Sequence, residues 1–209
     1  MKKLLILLFS LFFLSAPSVF ADDISDFQIE GISIGDSLLD YMTEEEILKW
    51  IEKTKDAYSY LKEPNKYSEV YLTKDFPTYN GGVSFFIKNN TSNQYITNKN
   101  EKYRILFIRG KIDYVEDFDN CIAKRNEVAE VLSGMFPNEK KEEWSADYAP
   151  DTSGNSVVVA VKFLFKAGAK IEVQCINMEE TFRSKNNWSE GLFVSIYSKE
   201  TIEWLNDYK

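Results

Sequence analysis

The first long helical pattern in the chain begins after residue 42. Thr43 and Glu46 have the spacing of a capping box, in which each side chain bonds to the backbone N–H of the other residue. Apolar side chains then recur at three- and four-residue intervals as far as Leu61. Pro64 cannot continue a helix, so the pattern predicts that the first main helix ends before it.

A second main helix is predicted from near Asp117 to Pro137. Its apolar positions share one face, and they are Phe118, Cys121, Ile122, Val128, Ala129, Val131, Leu132, Met135 and Phe136. A short helix closes the chain, with Ser198 as its N-terminal cap and Ile202, Trp204 and Leu205 as its apolar residues.

The remaining apolar segments are short or alternate with polar residues, which is typical of strands. They are Phe27–Ile34, Tyr67–Thr73, Val83–Lys88, Tyr103–Arg109 with its continuation Lys111–Val115, Val157–Phe165, Ile171–Cys175 and Leu192–Tyr197. In the Val157–Phe165 segment, every second residue is apolar, which predicts one buried face. The polar Asn89–Asn100 segment predicts a loop. Because the strands come in runs, we expect an α+β fold with a mainly antiparallel sheet, packed by the two main helices and the short C-terminal helix.

Residues 1–21 have the three parts of a cleavable signal peptide. Lys2 and Lys3 give a basic start, Leu4–Leu14 is almost wholly apolar, and Ala21 occupies the last position before cleavage. The apolar run of about 11 residues is shorter than the roughly 20 residues that a membrane-spanning helix needs. We therefore expect residues 22–209 to form a single domain that is periplasmic or secreted, with no integral membrane segment after cleavage.

The net charge of the chain narrows the classes of binding partner that we expect. The chain has 25 Lys and Arg residues against 33 Asp and Glu residues, a formal net charge of −8. An acidic protein repels phosphate backbones and anionic lipids, so nucleic acid is not an expected partner. No cofactor is expected from the sequence.

The two cysteines fall on faces that are expected to pack together. Cys121 lies on the apolar face of the second helix, and Cys175 lies on the same strand face as Ile171 and Val173. In an exported chain this placement predicts a disulfide, and two buried free thiols are the alternative.

One four-residue string resembles an enzyme motif. Gly35-Asp36-Ser37-Leu38 matches the block that carries the nucleophilic serine of the GDSL (SGNH) esterases and lipases. That resemblance would make Ser37 a catalytic nucleophile, but the family's base is a histidine and this chain has none. The simpler interpretation is a turn in which Asp36 or Ser37 caps a helical turn, so no catalytic residue is assigned.

Other enzyme and metal motifs are incomplete. Ser33 lies in a G-x-S-x-G string that also needs a histidine, and Ser59 with Lys62 has the S-x-x-K spacing of penicillin-binding proteins at the wrong end of a helix. An acidic cluster could bind calcium, although acidic residues also suit a helix N-terminus, and it consists of Asp113, Glu116, Asp117 and Asp119. No metal site is predicted.

The overall layout resembles small uncharacterised bacterial exported domains. A strand passes through Gly110-Lys111-Ile112 into a helix, and Leu192–Tyr197 leads into a short terminal helix. The opening Ile32-Ser33-Ile34-Gly35 is similar to the entry of envelope domains of the outer-membrane assembly lipoprotein and β-lactamase-inhibitor type. The resemblance implies a fold and protein–protein contact, and it implies no activity.

The leading functional hypothesis is a non-catalytic exported domain that binds another protein or an envelope component. A candidate contact surface is formed by aromatic residues near Gly81 and Gly82, namely Tyr67, Tyr71, Phe76 and Tyr79. The alternatives are a secreted hydrolase that uses Ser37 and a small-ligand binder with a pocket between sheet and helices.

Overall fold

The computed structural model describes residues 24–57, 61, 66–72, 76–89 and 99–207. The predicted signal peptide, Ser59, Lys62 and residues 90–98 of the predicted loop lie outside the described residues. The helices are α1 (Glu44–Thr54), α2 (Phe118–Met135), α3 (Glu180–Asn186) and α4 (Lys199–Asn206). The strands are β1 (Tyr67–Leu72), β2 (Val83–Lys88), β3 (Ile105–Asp113), β4 (Lys140–Asp147), β5 (Val157–Leu164), β6 (Lys170–Asn177) and β7 (Gly191–Tyr197).

All seven strands form one antiparallel sheet in the order β1-β2-β3-β7-β6-β5-β4. The two halves of the sheet meet where β3 pairs with β7, a contact between segments that are far apart in the chain. The α+β class and the antiparallel sheet are therefore confirmed.

One side of the sheet, which we call the helix face, is apolar across six strands. Its central row, read from register partner to register partner, consists of Val70, Phe85, Ile108, Ile196, Ile171 and Phe163. These side chains belong to the main core cluster, together with Ile47 of α1 and Leu132 of α2. Helix α1 packs against β1, and α2 packs against β5, β6 and β7.

The predicted disulfide is confirmed, and it joins α2 to the helix face. Cys121 and Cys175 are bonded, with their Cα atoms 5.9 Å apart, and both side chains are almost completely buried. Within the described part of the chain, no helix is long and apolar enough to cross a bilayer.

The first predicted strand, Phe27–Ile34, is wrong. Ile29 and Ile32 exchange two backbone hydrogen bonds, at 3.1 and 3.0 Å, and form only an isolated bridge. Glu30 and Gly31 between them have positive φ values of 53° and 77°, which fold the chain back in a two-residue turn. An extended strand cannot continue through that turn.

The first helix is shorter than its predicted apolar stripe. The capping box at Thr43 and Glu46 is confirmed, but α1 ends at Thr54. The Thr54 hydroxyl is shared between the carbonyl oxygens of Trp50, at 2.9 Å, and Glu69, at 2.7 Å. This contact fixes the end of α1 on β1, and a tertiary contact of this kind leaves no helical period in the sequence.

Two elements were missed from the sequence, and two further expectations are corrected. Strand β4 and helix α3 were not predicted, because β4 is mostly charged and α3 has only seven residues. Strand β5 is buried on both faces, since Val158 and Ala160 are as inaccessible as Val161. On α2, Val131 is 57% exposed, whereas Arg125 is buried on that helix.

Candidate functional site

The opposite side of the sheet, which we call the groove face, carries a row of polar residues. One residue from each strand contributes, and the register partners in order are Tyr71, Ser84, Arg109, Ser195, Glu172, Lys162 and Glu142. Ser84, Ser195 and Glu172 are buried. Burying polar groups costs free energy unless they are hydrogen-bonded, so the row needs a dense network of partners.

Helix α4 covers one end of the groove face. Ser198 caps it, accepting a hydrogen bond from the Thr201 backbone N–H at 3.1 Å, and the Thr201 hydroxyl donates to the Leu106 carbonyl at 2.8 Å. Trp204 is thereby packed onto Tyr67 and Phe86, with ring centroids 4.3 and 5.4 Å apart. The buried side chains of this α4 cluster include Leu61 and Tyr197.

Helix α3 and the segment after it cover the other end. Asn187 ends α3 in the left-handed conformation, and Trp188 follows it. Phe182 contacts Trp188 and Tyr148 edge to face, at centroid distances of 5.4 and 6.3 Å. Beneath them lies a small core of Val158, Ile176 and Met178.

Glu190 anchors this second wall by binding three different groups. One carboxylate oxygen accepts from the Met178 N–H at 2.8 Å, and the other accepts from the Glu116 N–H at 2.7 Å. Arg183 of α3 donates to Glu190 at 3.0 Å. A carboxylate with several N–H partners is held firmly in place, so the position of α3 and Trp188 is defined by charge-assisted bonds.

Between these two walls lies a groove with a volume of about 590 Å³. Strands β1, β2, β3 and β7 supply its floor with Glu69, Tyr71, Phe86, Phe107, Arg109, Lys111, Phe193 and Tyr197. The walls are Leu205 on the α4 side and Tyr148, Pro150, Met178, Asn187, Trp188 and Ser189 on the α3 side. This volume is in the range of sites for small organic ligands.

Arg109 lies near the middle of the groove floor, and its neighbours fix the plane of its guanidinium group. Its Nε donates to Ser195 Oγ at 3.1 Å, and its guanidinium lies 5.1 Å from the Phe107 ring centre and 5.7 Å from that of Phe193. Stacking on aromatic rings stabilises a guanidinium and fixes its plane. Lys111, two residues farther along β3, forms an ion pair with Asp113 at 2.7 Å.

Glu69 is a buried carboxyl group on β1, with only 6% of its surface exposed. Tyr71 donates a hydrogen bond to it, but its Oε2 atom is buried and has no hydrogen-bond partner in the structure. Burial raises the pKa of Glu69, and the bond from Tyr71 and the charge of Arg109 offset only part of the rise. A buried acceptor without a donor is unfavourable, so this atom is suited to a donor brought by a ligand.

Among the described residues that line the groove, Glu69 is the only one with a carboxyl side chain. Acid–base hydrolysis with two carboxylates needs them within roughly 10 Å of each other. Glu172, the buried glutamate of the polar row, lies on β6, four strand positions from the β1 strand that carries Glu69 and thus roughly 19 Å from it at the usual strand spacing. Its oxygens accept from Trp144 at 3.2 Å and Lys170 at 3.0 Å.

The four aromatic residues predicted as a contact surface lie in different places. Tyr67 is buried under α4, and its hydroxyl donates to Glu200 at 2.9 Å. Tyr71 lines the groove. Phe76 and Tyr79 are half-buried and pack against the main core of the helix face, where Tyr79 lies over Gly110. A contact role for these residues stays a prediction, with Tyr71 alone positioned at the groove.

Ser37 is buried and acts as a backbone cap. Its hydroxyl donates to the Lys102 carbonyl at 2.8 Å and accepts from the Leu39 N–H at 3.3 Å, at the start of the short 3₁₀ turn Leu38–Asp40. Ser33 is similarly occupied, with its hydroxyl donating to the Ser25 carbonyl at 3.2 Å. Neither serine lines the groove.

The predicted acidic cluster is dispersed among separate partners. Asp113 pairs with Lys111 and accepts from Ser189, Glu116 pairs with Arg183, and Asp117 accepts from Asn120. Among the described residues, no group of three or more His, Cys, Asp or Glu side chains is arranged to hold a metal ion.

No protein-family profile, curated protein or solved structure matches the chain. The functional argument therefore depends on the groove and on the residues that form it.

Proposed function

We propose that this protein is an exported, non-catalytic binding domain, and that the groove between α3 and α4 is where it binds a partner or envelope component. The observation that carries the proposal is the groove itself, which combines an aromatic floor with Glu69 and Arg109 on neighbouring strands. Binding sites typically join apolar contact area to a few oriented polar groups.

The construction of the two walls supports the proposal. The groove face would be a closed core if α3 and α4 met, but each helix instead packs over its own cluster and leaves Arg109 and Phe193 lining the space between. Trp188 stays 42% exposed beside the groove, and tryptophan is enriched among the residues that contribute most to binding energy.

Export is supported by the pattern of residues 1–21 and agrees with the disulfide between Cys121 and Cys175, since such bonds persist in oxidising compartments. Expression of the full chain in a bacterium, followed by fractionation and N-terminal sequencing, tests it. We expect a product outside the cytoplasm that begins near Asp22. A cytoplasmic product that retains Met1 would contradict export.

Binding at the groove is tested by a photo-reactive phenylalanine analogue placed at position 188, with position 131 as the matched control. Val131 is exposed on α2, on the far side of the sheet from the groove. After irradiation of living cells, intact mass and gel mobility of the recovered protein reveal adducts of any size. We expect a discrete adduct from position 188 only, and one that weakens when Arg109 is replaced by Gln. Equal labelling at both positions, or none, would refute the groove as the site.

A further inference from the structure

The charged residues of the groove floor lie on two strands that have a third strand between them. Glu69 lies on β1, while Arg109 and Lys111 lie on β3, with β2 between them. Adjacent strands are about 4.8 Å apart, so the backbones that carry the negative and positive groups are roughly 10 Å apart. The aromatic floor between them includes Phe86 and Phe107, whose rings stack at 4.5 Å.

The negative end has an unmet hydrogen-bonding requirement. Glu69 is more than nine-tenths buried, and its Oε2 atom lacks a donor while its side chain lines the groove. An ammonium group has three N–H donors and the opposite charge, so it satisfies this oxygen better than a neutral donor does.

The positive end suits a carboxylate. Arg109 is fixed by Ser195 and by the two aromatic rings, which keeps a positive charge at the floor, whereas the charge of Lys111 is paired with Asp113. Because the guanidinium is already ordered, a ligand carboxylate binding there loses little further side-chain entropy.

On these grounds, and resting on the groove being the binding site proposed above, we propose that its ligand is a short zwitterionic peptide of two or three residues with free termini. The amino terminus binds at Glu69, the carboxylate binds at Arg109, and the apolar side chains lie on Phe86, Phe107 and Phe193. An extended chain spans up to about 3.5 Å per residue, so a dipeptide or tripeptide matches the roughly 10 Å between the β1 and β3 backbones better than one amino acid does.

The probes are leucyl-phenylalanine, its N-acetyl derivative and its C-terminal amide, titrated calorimetrically into the purified, oxidised protein. We expect the unmodified dipeptide to bind, and blocking either terminus to weaken binding at least about tenfold, because each block removes a charge-assisted contact. Failure of the unmodified dipeptide to bind at millimolar concentration, or binding that is indifferent to acetylation, would overturn the assignment.

Two variants locate the termini. Glu69→Gln should bind the free and the N-acetylated dipeptide about equally, and Arg109→Gln should bind the dipeptide and its amide about equally. Glu172→Gln is the matched control, because Glu172 is equally buried on the same face but does not line the groove. Circular dichroism of each variant establishes that it is folded, and a folded Glu69→Gln variant that still prefers the free amino terminus would refute the proposed orientation.

Failure of the peptide assignment and failure of the groove as a site give different results. If no dipeptide binds but the photo-reactive group at position 188 still forms its specific adduct, the ligand class is wrong and the groove remains the site. If both experiments fail, the binding proposal itself is refuted.

Discussion

The helix face and the groove face are formed by the same seven strands, with alternate residues of each strand on one side or the other. On the helix face, the row from Val70 to Phe163 is apolar throughout and is covered by α1 and α2. On the groove face, the row from Tyr71 to Glu142 is polar, and α3 and α4 leave a gap above its middle. One face thus excludes water, and the other keeps polar groups beside an opening.

The two faces also differ in how their helices are attached. The disulfide and a continuous apolar core hold α2, whereas α4 is held by its cap and by one aromatic cluster, and α3 by the bonds around Glu190. The helix face therefore carries the larger continuous apolar core, and binding at the groove face is the role that we propose for the other side.

The largest expected effect is loss of the disulfide. Replacing Cys121 and Cys175 together with Ala should lower the free energy of unfolding by about 4 kcal/mol, because the bond closes a long loop in the unfolded chain. Urea denaturation of the oxidised wild type and the double variant measures the change. A difference below about 1 kcal/mol would mean that the apolar core alone holds α2 in place.

The next effect compares two residues of β7 that point to opposite faces. Ile196→Ala should cost about 3 kcal/mol, because Ile196 is completely buried on the helix face. Phe193→Ala should cost only about 1 kcal/mol, because Phe193 is half-buried at the groove and its site is already open to water. The same denaturation assay measures both, and equal losses would contradict the division of roles between the faces.

Much of the helix face could be predicted from sequence. The β2 limits, the start of α2 and the pairing of Cys121 with Cys175 follow from local spacing and from two apolar periodicities. On the groove face, the cap at Ser198 follows from local spacing as well. These signals are local, or they arise from burial against one continuous core. Strand β4 lacked such a signal because most of its residues are charged and its side chains are exposed or only half-buried.

The groove could not be predicted from the sequence, because its residues come together only through the pairing and register of the strands. Glu69 and Arg109 are 40 positions apart, and nothing in either segment indicates that β1 and β3 have one strand between them. The four aromatic residues predicted as a contact surface did not identify the groove for the same reason. Tyr71 and Tyr79 are close in sequence, but of these two only Tyr71 lines the groove. The detectable signal was the polar residue at every second position of strands that are otherwise apolar, such as Arg109 in β3 and Ser195 in β7.

A smaller effect is expected from removing matching helix caps on the two faces. Thr43 caps α1 and Ser198 caps α4, and each accepts a hydrogen bond from the backbone N–H three residues later. Either residue replaced with Ala should cost about 1 kcal/mol locally. Hydrogen exchange should show faster opening confined to α4 in Ser198→Ala, whereas Thr43→Ala should affect α1 together with β1, because α1 is part of the main core. Opening that spreads across the whole sheet in Ser198→Ala would show that α4 is not a separate unit.

The smallest effect concerns the buried carboxyl group at the groove and depends on pH. Burial raises the pKa of Glu69 in the folded protein above its ordinary value, so the folded state holds this proton to a higher pH than the unfolded state does. Between the two pKa values the folded state binds more protons, and the free energy of unfolding therefore falls as the pH rises through that window. Glu69→Gln lacks this titration, so it should gain stability relative to the wild type as the pH rises above the ordinary pKa of a glutamate.

Urea denaturation at several pH values measures that relative gain, with Glu143→Gln as the control on the outer strand β4. Glu143 is exposed and far from the groove, so its substitution controls for the loss of a carboxyl group as such. Parallel profiles for the wild type and Glu69→Gln would mean that Glu69 titrates alike in both states, and that its buried oxygen is solvated in the open groove. The unmet hydrogen-bonding requirement that distinguishes the groove face from the helix face would then be absent, and the case for an ammonium ligand would lose its main support.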